Sequence, residues 1–432
     1  MSFLVRLALR IFYRRIVYVG LDGVPASAPV LFVLNHPNAL VDPLFVLDAV
    51  RRPVHFLAKA PLLRVPVFGR LLRACGVLPV FRRQDGADTR LNDETFRECH
   101  RVLARGESVA IFPEGTTHSD DVLRPVKTGA ARIVLGAEAL ADFRLGVQVV
   151  PVGLQYEAKQ TFRSDVTVWF GEPHGVADLA AQYSTSEAAA VIEETRRLGV
   201  ALYDVTLNIG RREVQELVAA TRIFADREDG DDAAAIALRG DFVAAYARLN
   251  ALVPERVARL RHALRRHVST LERLGLTIRD LRAGREPSLA GLAVRALGAL
   301  PLVVLAILGV VLEWVPYHAV DRVARRSERK EPELTATTKL VAALVLFPTW
   351  WWVTAGATAY ALGWPPAFVL LLAHPIVAYL AMTALERLER FRSRLQVFQL
   401  AARPRRLEQL RHNEQAIRQE MQALAALYQE SP

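Results

Sequence analysis

No Asp, Glu, Lys or Arg occurs between Lys339 and Glu386. The stretch Leu340 to Leu385 is roughly twice the twenty or so residues that one helix needs to cross a bilayer, and Gly363-Trp364-Pro365-Pro366 divides it. Part of this chain therefore belongs in lipid, and the pattern predicts a transmembrane hairpin, Leu340 to Ala361 and Ala367 to Leu385. An earlier apolar stretch, Ala296 to Leu312, lies between Arg295 and Glu313, is close to the minimum spanning length and contains Pro301. It reads either as a crossing or as a re-entrant segment. The loop Asp321 to Lys339 and the tail beyond Glu386 are arginine-rich, and basic segments stay on the cytoplasmic side. A full first crossing would put both outside, so charge favours a re-entrant or interfacial first segment.

Composition points to the same surroundings. Hydrophobic residues are 52% of the 432, above the usual soluble share. The formal charge of +10 rests almost wholly on arginine, with lysine only at positions 59, 127, 159, 330 and 339. Spread through apolar surroundings, such charge suits an anionic membrane face better than a nucleic-acid groove, so no nucleic-acid partner is expected. An arginine- and alanine-rich, lysine-poor composition points to a GC-rich bacterial genome and hence an inner membrane. Cys75 and Cys99 form neither a disulfide framework nor a metal-ligand spacing with histidine, which places the catalytic part in a reducing, cytoplasmic setting. Met1 to Val19 has its apolar residues broken by Arg6, Arg10, Arg14 and Arg15, so it holds no core of signal-peptide length. Residues 1–24 read as an amphipathic helix, lying on the membrane surface or packed on the domain that follows.

Residues 25–185 alternate β-branched runs with helical patterns, the α/β signature. Strands are predicted at Val30–Leu34, Val54–Ala58, Gly76–Phe81, Ser108–Phe112, Val147–Leu154 and Val166–Phe170, and helices at Pro43–Val50, Pro66–Ala74, Asp88–Arg105 and Thr128–Ala141. Residues 186–288 read as charged helices without evident chemistry. A membrane region, 289–385, and a basic tail, 386–432, complete the chain. In the tail, Leu407, Leu410, Ile417, Met421, Leu424 and Tyr428 follow a 3-4 spacing interrupted by Glu414, which permits a short coiled coil and a homodimer, or a solvated amphipathic helix.

Four short segments sit where predicted strands run into turns: Asn35-His36-Pro37-Asn38-Ala39-Leu40-Val41-Asp42, Gly76 to Arg83, Phe112-Pro113-Glu114-Gly115-Thr116 and Val150-Pro151-Val152-Gly153-Leu154. An imidazole can accept a hydroxyl proton at neutral pH, and a carboxylate on its other nitrogen fixes the tautomer. His36 and Asp42 fit those roles only if a turn separates them, which Asn35, Pro37 and Asn38 supply; alternatively Asp42 caps the next helix and His36 fills a strand-end slot. Arg82 and Arg83 can hold a phosphate through charge-assisted hydrogen bonds, although strand-end arginines are commonly just solvated. Glu114 would repel a phosphate, so it binds an acceptor hydroxyl or orders its loop, while the Gly115 and Thr116 amides can face an anion. Lys127 adds a cation before the helix at Thr128. Backbone amides near His36 or Gly76 are candidates for stabilising an oxyanion.

Taken together, these segments resemble the glycerol-3-phosphate and lysophosphatidate acyltransferase family, whose four motifs occur in this order over roughly residues 25–175. The resemblance implies a mixed sheet flanked by helices. It makes His36 the general base with Asp42 its partner, Arg82 the acceptor-phosphate ligand, Glu114 and Gly115 the acceptor-binding turn, and Pro151 with Gly153 a wall of the acyl site. Five residues separate His36 from Asp42 where most of the family has four. The text His36-Pro37-Asn38-Ala39-Leu40-Val41-Asp42-Pro43 is instead similar to the fungal-type membrane-bound glycerol-3-phosphate/dihydroxyacetone-phosphate acyltransferases, which also carry a His matching His118 and a Leu-x-Pro-x-Lys-x-Gly stretch matching Leu123 to Gly129. The implied reaction moves a fatty acyl group from acyl-CoA or acyl-carrier protein to glycerol 3-phosphate or dihydroxyacetone phosphate, with no cofactor or metal. Acylation of lysophosphatidate or another lysophospholipid is the alternative within the class; outside it, an inactive lipid-binding scaffold is the other. A metal hydrolase using His36, Asp42 and Glu114 has no paired histidine motif behind it.

Overall fold

In the computed structural model, the residues described are 2–66, 68–82, 85–116, 123–206, 220, 223, 248–250, 252–276, 289–329, 334–401 and 404–430. The chain divides into two compact units, Met1–Arg211 with Pro332–Thr337, and Arg212–Glu331 with Thr338–Pro432.

The first unit is built on a seven-stranded mixed sheet flanked by helices. Its strands are β1 (Arg15–Val19), β2 (Val30–Leu34), β3 (Val54–Lys59), β4 (Leu78–Val80), β5 (Ser108–Ile111), β6 (Gln148–Tyr156) and β7 (Asp165–Phe170), in the spatial order β1-β7-β6-β2-β5-β3-β4. Neighbours pair in parallel except β6 with β7, so β1 and β7 run against the other five. The helices are α1 (Ser2–Phe12), α2 (Asp42–Ala49), α3 (Ala60–Leu63), α4 (Phe68–Ala74), α5 (Asn92–Ala104), α6 (Gly129–Ala139), α7 (Ala180–Thr185) and α8 (Glu187–Val205). All five residues of β2 are buried, as expected of a strand covered on both faces. Leu31 and Val33 enter a core with Val102 and Leu103 of α5, Ile133 and Val134 of α6 and Leu198 and Leu202 of α8. Phe32, pointing the other way by the two-residue period, meets the Phe170 ring edge-on at 6.3 Å. Each such fully buried side chain contributes roughly 1.5–3 kcal/mol.

The N-terminal segment departs from the expected single helix. Ser2–Phe12 is helical, but Arg15–Val19 is a strand paired in parallel with β7. The β-branched run Ile16-Val17 favours extended backbone, and β7 offers the open edge that recruits it. Leu9 and Phe12 are buried, and Arg6 pairs with Asp48 at 2.9 Å, so α1 packs on the domain while Leu7 and Ile11 stay exposed.

In the second unit, α9 (Pro254–Arg273) precedes three long helices, α10 (Leu289–Glu328), α11 (Thr335–Leu362) and α12 (Trp364–Ala401), and a last helix, α13 (Pro404–Glu430). Three segments are long and apolar enough to cross a membrane, Ala296–Glu328, Thr335–Leu362 and Trp364–Glu389. Ala296 to Leu312, read as a crossing or a re-entrant segment, lies within one uninterrupted helix that runs through both Pro301 and Pro316. The stripe Leu407, Leu410, Ile417 and Met421 is buried against Leu264 and Leu271 of α9, and Arg256 pairs with Glu420 at 2.9 Å, so the seam is already occupied within the chain.

Polar groups clasp the three apolar helices. Glu313 of α10 accepts from His374 Nδ1 of α12 at 2.8 Å and from Trp351 Nε1 of α11 at 3.2 Å. His374 Nε2 meets Thr354 Oγ1 at 2.8 Å, and Trp350 Nε1 donates to the Leu312 carbonyl at 2.8 Å. At Gly309, a Cβ would stand 2.1 Å from Ala381 Cβ, so α10 and α12 approach closely there. These bonds give the Trp350 and Trp351 indoles polar partners within the helix bundle. Glu313→Ala, which strips the buried His374 and the half-buried Trp351 of their acceptor, is expected to destabilise the bundle by about 1–3 kcal/mol. Thermal unfolding in detergent measures it, and an unchanged transition would show that the clasp contributes nothing.

Candidate active site

The carboxyl ends of β2 and β5, neighbours in the sheet, deliver His36 and Phe112 side by side; ligands collect at such ends in α/β sheets. The His36 ring stacks on Phe112 with centroids 3.9 Å apart and planes 21° from parallel. His36 Nδ1 meets Asp42 Oδ2 at 2.9 Å. The extra residue between them is absorbed in a 3-10 turn, Ala39–Val41, whose first residue takes φ +45°, a left-handed conformation costing roughly 1 kcal/mol outside glycine. With Nδ1 engaged, Nε2 is the nitrogen left to meet a substrate hydroxyl.

Asp42 is fully buried and saturated with donors. Oδ2 also accepts the Asn38 amide at 2.8 Å, and Oδ1 accepts the Tyr156 hydroxyl at 2.5 Å. Asn38 Nδ2 in turn donates to Tyr13 OH at 3.2 Å. Burial, with the Asp42 charge adding, pushes the Tyr13 and Tyr156 phenols well above their ordinary range, so Tyr156 keeps the proton it donates. Asp42 is the first residue of α2 and not its cap: the His36 and Tyr156 side chains and the Asn38 amide converge on its carboxylate.

The other three segments are tied to this centre. Glu114 is buried and turned inward, its Oε1 accepting the His36 amide at 3.0 Å and its Oε2 the Arg124 amide at 2.9 Å. Of its two expected roles, this is the loop-ordering one. Arg82 donates through Nη1 to the Gly115 carbonyl at 2.8 Å and grips Asp85 with Nε and Nη2 at 2.7 and 2.8 Å. Gly115 takes φ +70°, and a Cβ there would lie 2.5 Å from Lys127 Nζ, so Lys127 leans over the same turn as Arg82. Thr116 follows in that turn, half-buried. Arg83 and His118 lie outside the described residues. Asn35 joins the fourth segment, exchanging bonds of 2.7 and 3.1 Å with the Leu154 backbone.

Pro151 and Gly153 belong to the interior of the sheet: the Pro151 carbonyl accepts from Gly171 at 2.9 Å, and a Cβ on Gly153 would lie 1.8 Å from the Val205 carbonyl oxygen. They seat α8 against β6. Of the amides considered for an oxyanion, His36 donates to Glu114 and Gly76 to the Arg73 carbonyl at 2.9 Å, so both are already committed. The Gly115 amide likewise bonds the Phe112 carbonyl at 3.1 Å. Asn35, Asn38, Phe112, Tyr13, Tyr156 and Asp85 were not singled out for these roles, and the two tyrosines carry no local signal, since 114 residues separate Tyr156 from Asp42.

Comparison with known proteins places this mixed α/β sheet beside acyltransferases. The family described as Acyltransferase matches residues 15–155. Glycerol-3-phosphate O-acyltransferase 2 of Saccharomyces cerevisiae is 35% identical over 30% of this chain and 18% of its own length. A chloroplast 1-acyl-sn-glycerol-3-phosphate acyltransferase of Brassica napus is 31% identical over 32% and 37%, and a lyso-ornithine lipid O-acyltransferase of Pseudomonas aeruginosa is 33% identical over 32% and 47%. The chain thus spans less than half the length of these relatives. The crystal structure of a 1-acyl-sn-glycerophosphate acyltransferase from Thermotoga maritima aligns with 44% of this chain and 73% of its own at a TM-score of 0.33 and 22% identity. Residues 15–155 thus match the Acyltransferase family model and are similar in sequence to glycerolipid acyltransferases.

Proposed function

We propose that this protein is a membrane-bound O-acyltransferase that esterifies glycerol 3-phosphate or dihydroxyacetone phosphate, using acyl-CoA or acyl-carrier protein as donor. The observation that carries the reading is the 2.9 Å contact of His36 Nδ1 with a buried Asp42, which leaves Nε2 for the acceptor, while Arg82 and Lys127 reach Gly115, next to the Glu114 that binds the His36 amide. His36 Nε2 takes the proton of the acceptor hydroxyl as its oxygen attacks the thioester carbonyl. The C–S bond then breaks, and the thiolate leaves with the proton from the imidazolium, so a carboxylic ester and a free thiol are formed. Asp42 stabilises the transient imidazolium and fixes its tautomer. Arg82 and Lys127 hold the acceptor's phosphate. The apolar helices anchor the enzyme in the bilayer, into which the fatty chain and product partition, with the catalytic unit on the cytoplasmic face.

Similarity to 1-acylglycerol-3-phosphate acyltransferases supports lysophosphatidate as the alternative acceptor. Purified full-length protein, assayed with acyl-CoA against glycerol 3-phosphate, dihydroxyacetone phosphate and lysophosphatidate, is expected to acylate the first two faster. Faster acylation of lysophosphatidate would replace the first reading by the second, and no transfer to any acceptor would favour a lipid-binding scaffold. Arg82→Ala is expected to raise the acceptor KM about tenfold or more while leaving the acyl-CoA KM unchanged; an unmoved acceptor KM would remove Arg82 from the phosphate site.

A further inference from the structure

We propose that Asp85 is a positioning residue for the acceptor site, holding the Arg82 guanidinium in place so that its remaining N–H groups are presented to the acceptor's anionic group. The inference rests on the reading that Arg82 binds that group.

A guanidinium offers five N–H donors in one plane. Arg82 spends two of them on Asp85, through Nε at 2.7 Å and Nη2 at 2.8 Å, and one on the Gly115 carbonyl, through Nη1 at 2.8 Å. Among the described residues, one N–H on Nη1 and one on Nη2 are left over, two donors on adjacent nitrogens that match two oxygens of a phosphate. The base of the side chain is held equally well. Asn92 exchanges bonds of 2.9 and 2.7 Å with the Phe81 backbone, and Thr95 Oγ1 donates to the Pro79 carbonyl at 2.8 Å, so the end of β4 is pinned to the start of α5. An arginine is among the side chains with most rotamer freedom to lose. Here that freedom is removed before any acceptor arrives.

The pair is sheltered, with side chains 21% and 17% exposed, which weakens solvent screening. Bonds from Arg82 chiefly, with the charge of Lys59 adding, hold the Asp85 carboxyl below the usual carboxylate range. The carboxylate therefore remains charged and keeps its grip through neutral pH. It also tempers the cationic turn, leaving Lys127 over Gly115 as the cation not engaged by this carboxylate.

A carboxylate in this place has one other reading with the opposite sign, a competitor that the acceptor's phosphate must displace. Steady-state kinetics of the full-length protein separates the two, with glycerol 3-phosphate and acyl-CoA varied in turn. Asp85→Ala is expected to raise the glycerol 3-phosphate KM about tenfold, leave the acyl-CoA KM unchanged and lower kcat little, and Asp85→Glu is expected to restore most of the loss. Asp85→Asn, which keeps the shape but loses the charge, serves as the readout should the alanine variant fold poorly, and is expected to move the same KM in the same direction. A lower acceptor KM in Asp85→Ala or Asp85→Asn would overturn the proposal in favour of the competitor. A fall in kcat with both KM values unmoved would overturn it in favour of a merely structural turn. An unchanged KM in the Asp85 variants beside a raised one in Arg82→Ala would overturn this inference alone. An unchanged KM in Arg82→Ala would bring down the acceptor-site reading, and this inference with it.

Discussion

Replacing His36 with alanine is expected to lower acyl transfer by about a hundred to ten thousand fold, the range of a positioned general base, equivalent to roughly 3–5 kcal/mol of transition-state stabilisation. The protein should remain folded. The imidazole is half-buried at a strand end, and its removal leaves Asp42 still bonded to the Asn38 amide and to Tyr156. The loss should therefore fall on turnover while melting temperature and far-ultraviolet dichroism barely move. Initial rates of thioester consumption with each acceptor test this, and a variant that keeps most of its rate would refute the base assignment.

Gly153→Ala is expected to have the largest effect on stability. The added methyl would stand 1.8 Å from a backbone oxygen at the end of α8, and no rotamer change relieves a backbone clash. Gly171 is crowded by the same helix end, since a Cβ there would meet Val205 Cγ1 at 2.7 Å and Pro151 Cγ at 2.8 Å, so α8 cannot simply slide aside. Overpacking of this kind costs about 3 kcal/mol or more, which for a unit of this size lowers the melting temperature by roughly 6–12 °C. Activity should fall too, because Leu154 and Tyr156 lie on the same strand and hold Asn35 and Asp42. An unchanged melting temperature would mean that α8 does not approach β6 as closely as described.

Much of the domain was legible along the chain. Val30–Leu34, Val54–Lys59 and Ser108–Ile111 are short β-branched or apolar runs bounded by polar turns, and a strand buried on both faces needs little more to announce itself. The edge strand Arg15–Val19 was not legible: the arginines and leucines before it continue the spacing of a helix, and it becomes extended only because β7 presents an unpaired edge. Helix ends drifted by a few residues, as at Asn92, where a 3-10 turn over Thr89–Leu91 precedes the α-helix. For the membrane region, the charge-free run announced apolar helices, but charge bias pointed away from a third long one. The bonds of Glu313 and His374 carry no local signal, because their partners lie on other helices.

The sequence alone determined the chemical inventory: a histidine and an aspartate near a strand end, an arginine after β4, a tight Glu-Gly turn, and a run of side chains that water would not solvate. Those are properties of neighbours in the chain, set by composition and local backbone preference. Only the tertiary structure decided what each group faces. It turned Glu114 inward onto the His36 amide, engaged Arg82 with Asp85, brought Tyr156 across 114 residues to Asp42, and placed Gly153 under α8 rather than in a cleft. The physical reason is that hydrogen bonds and steric contacts depend on distance in space, and distances between remote residues exist only once the sheet has closed and its helices have packed.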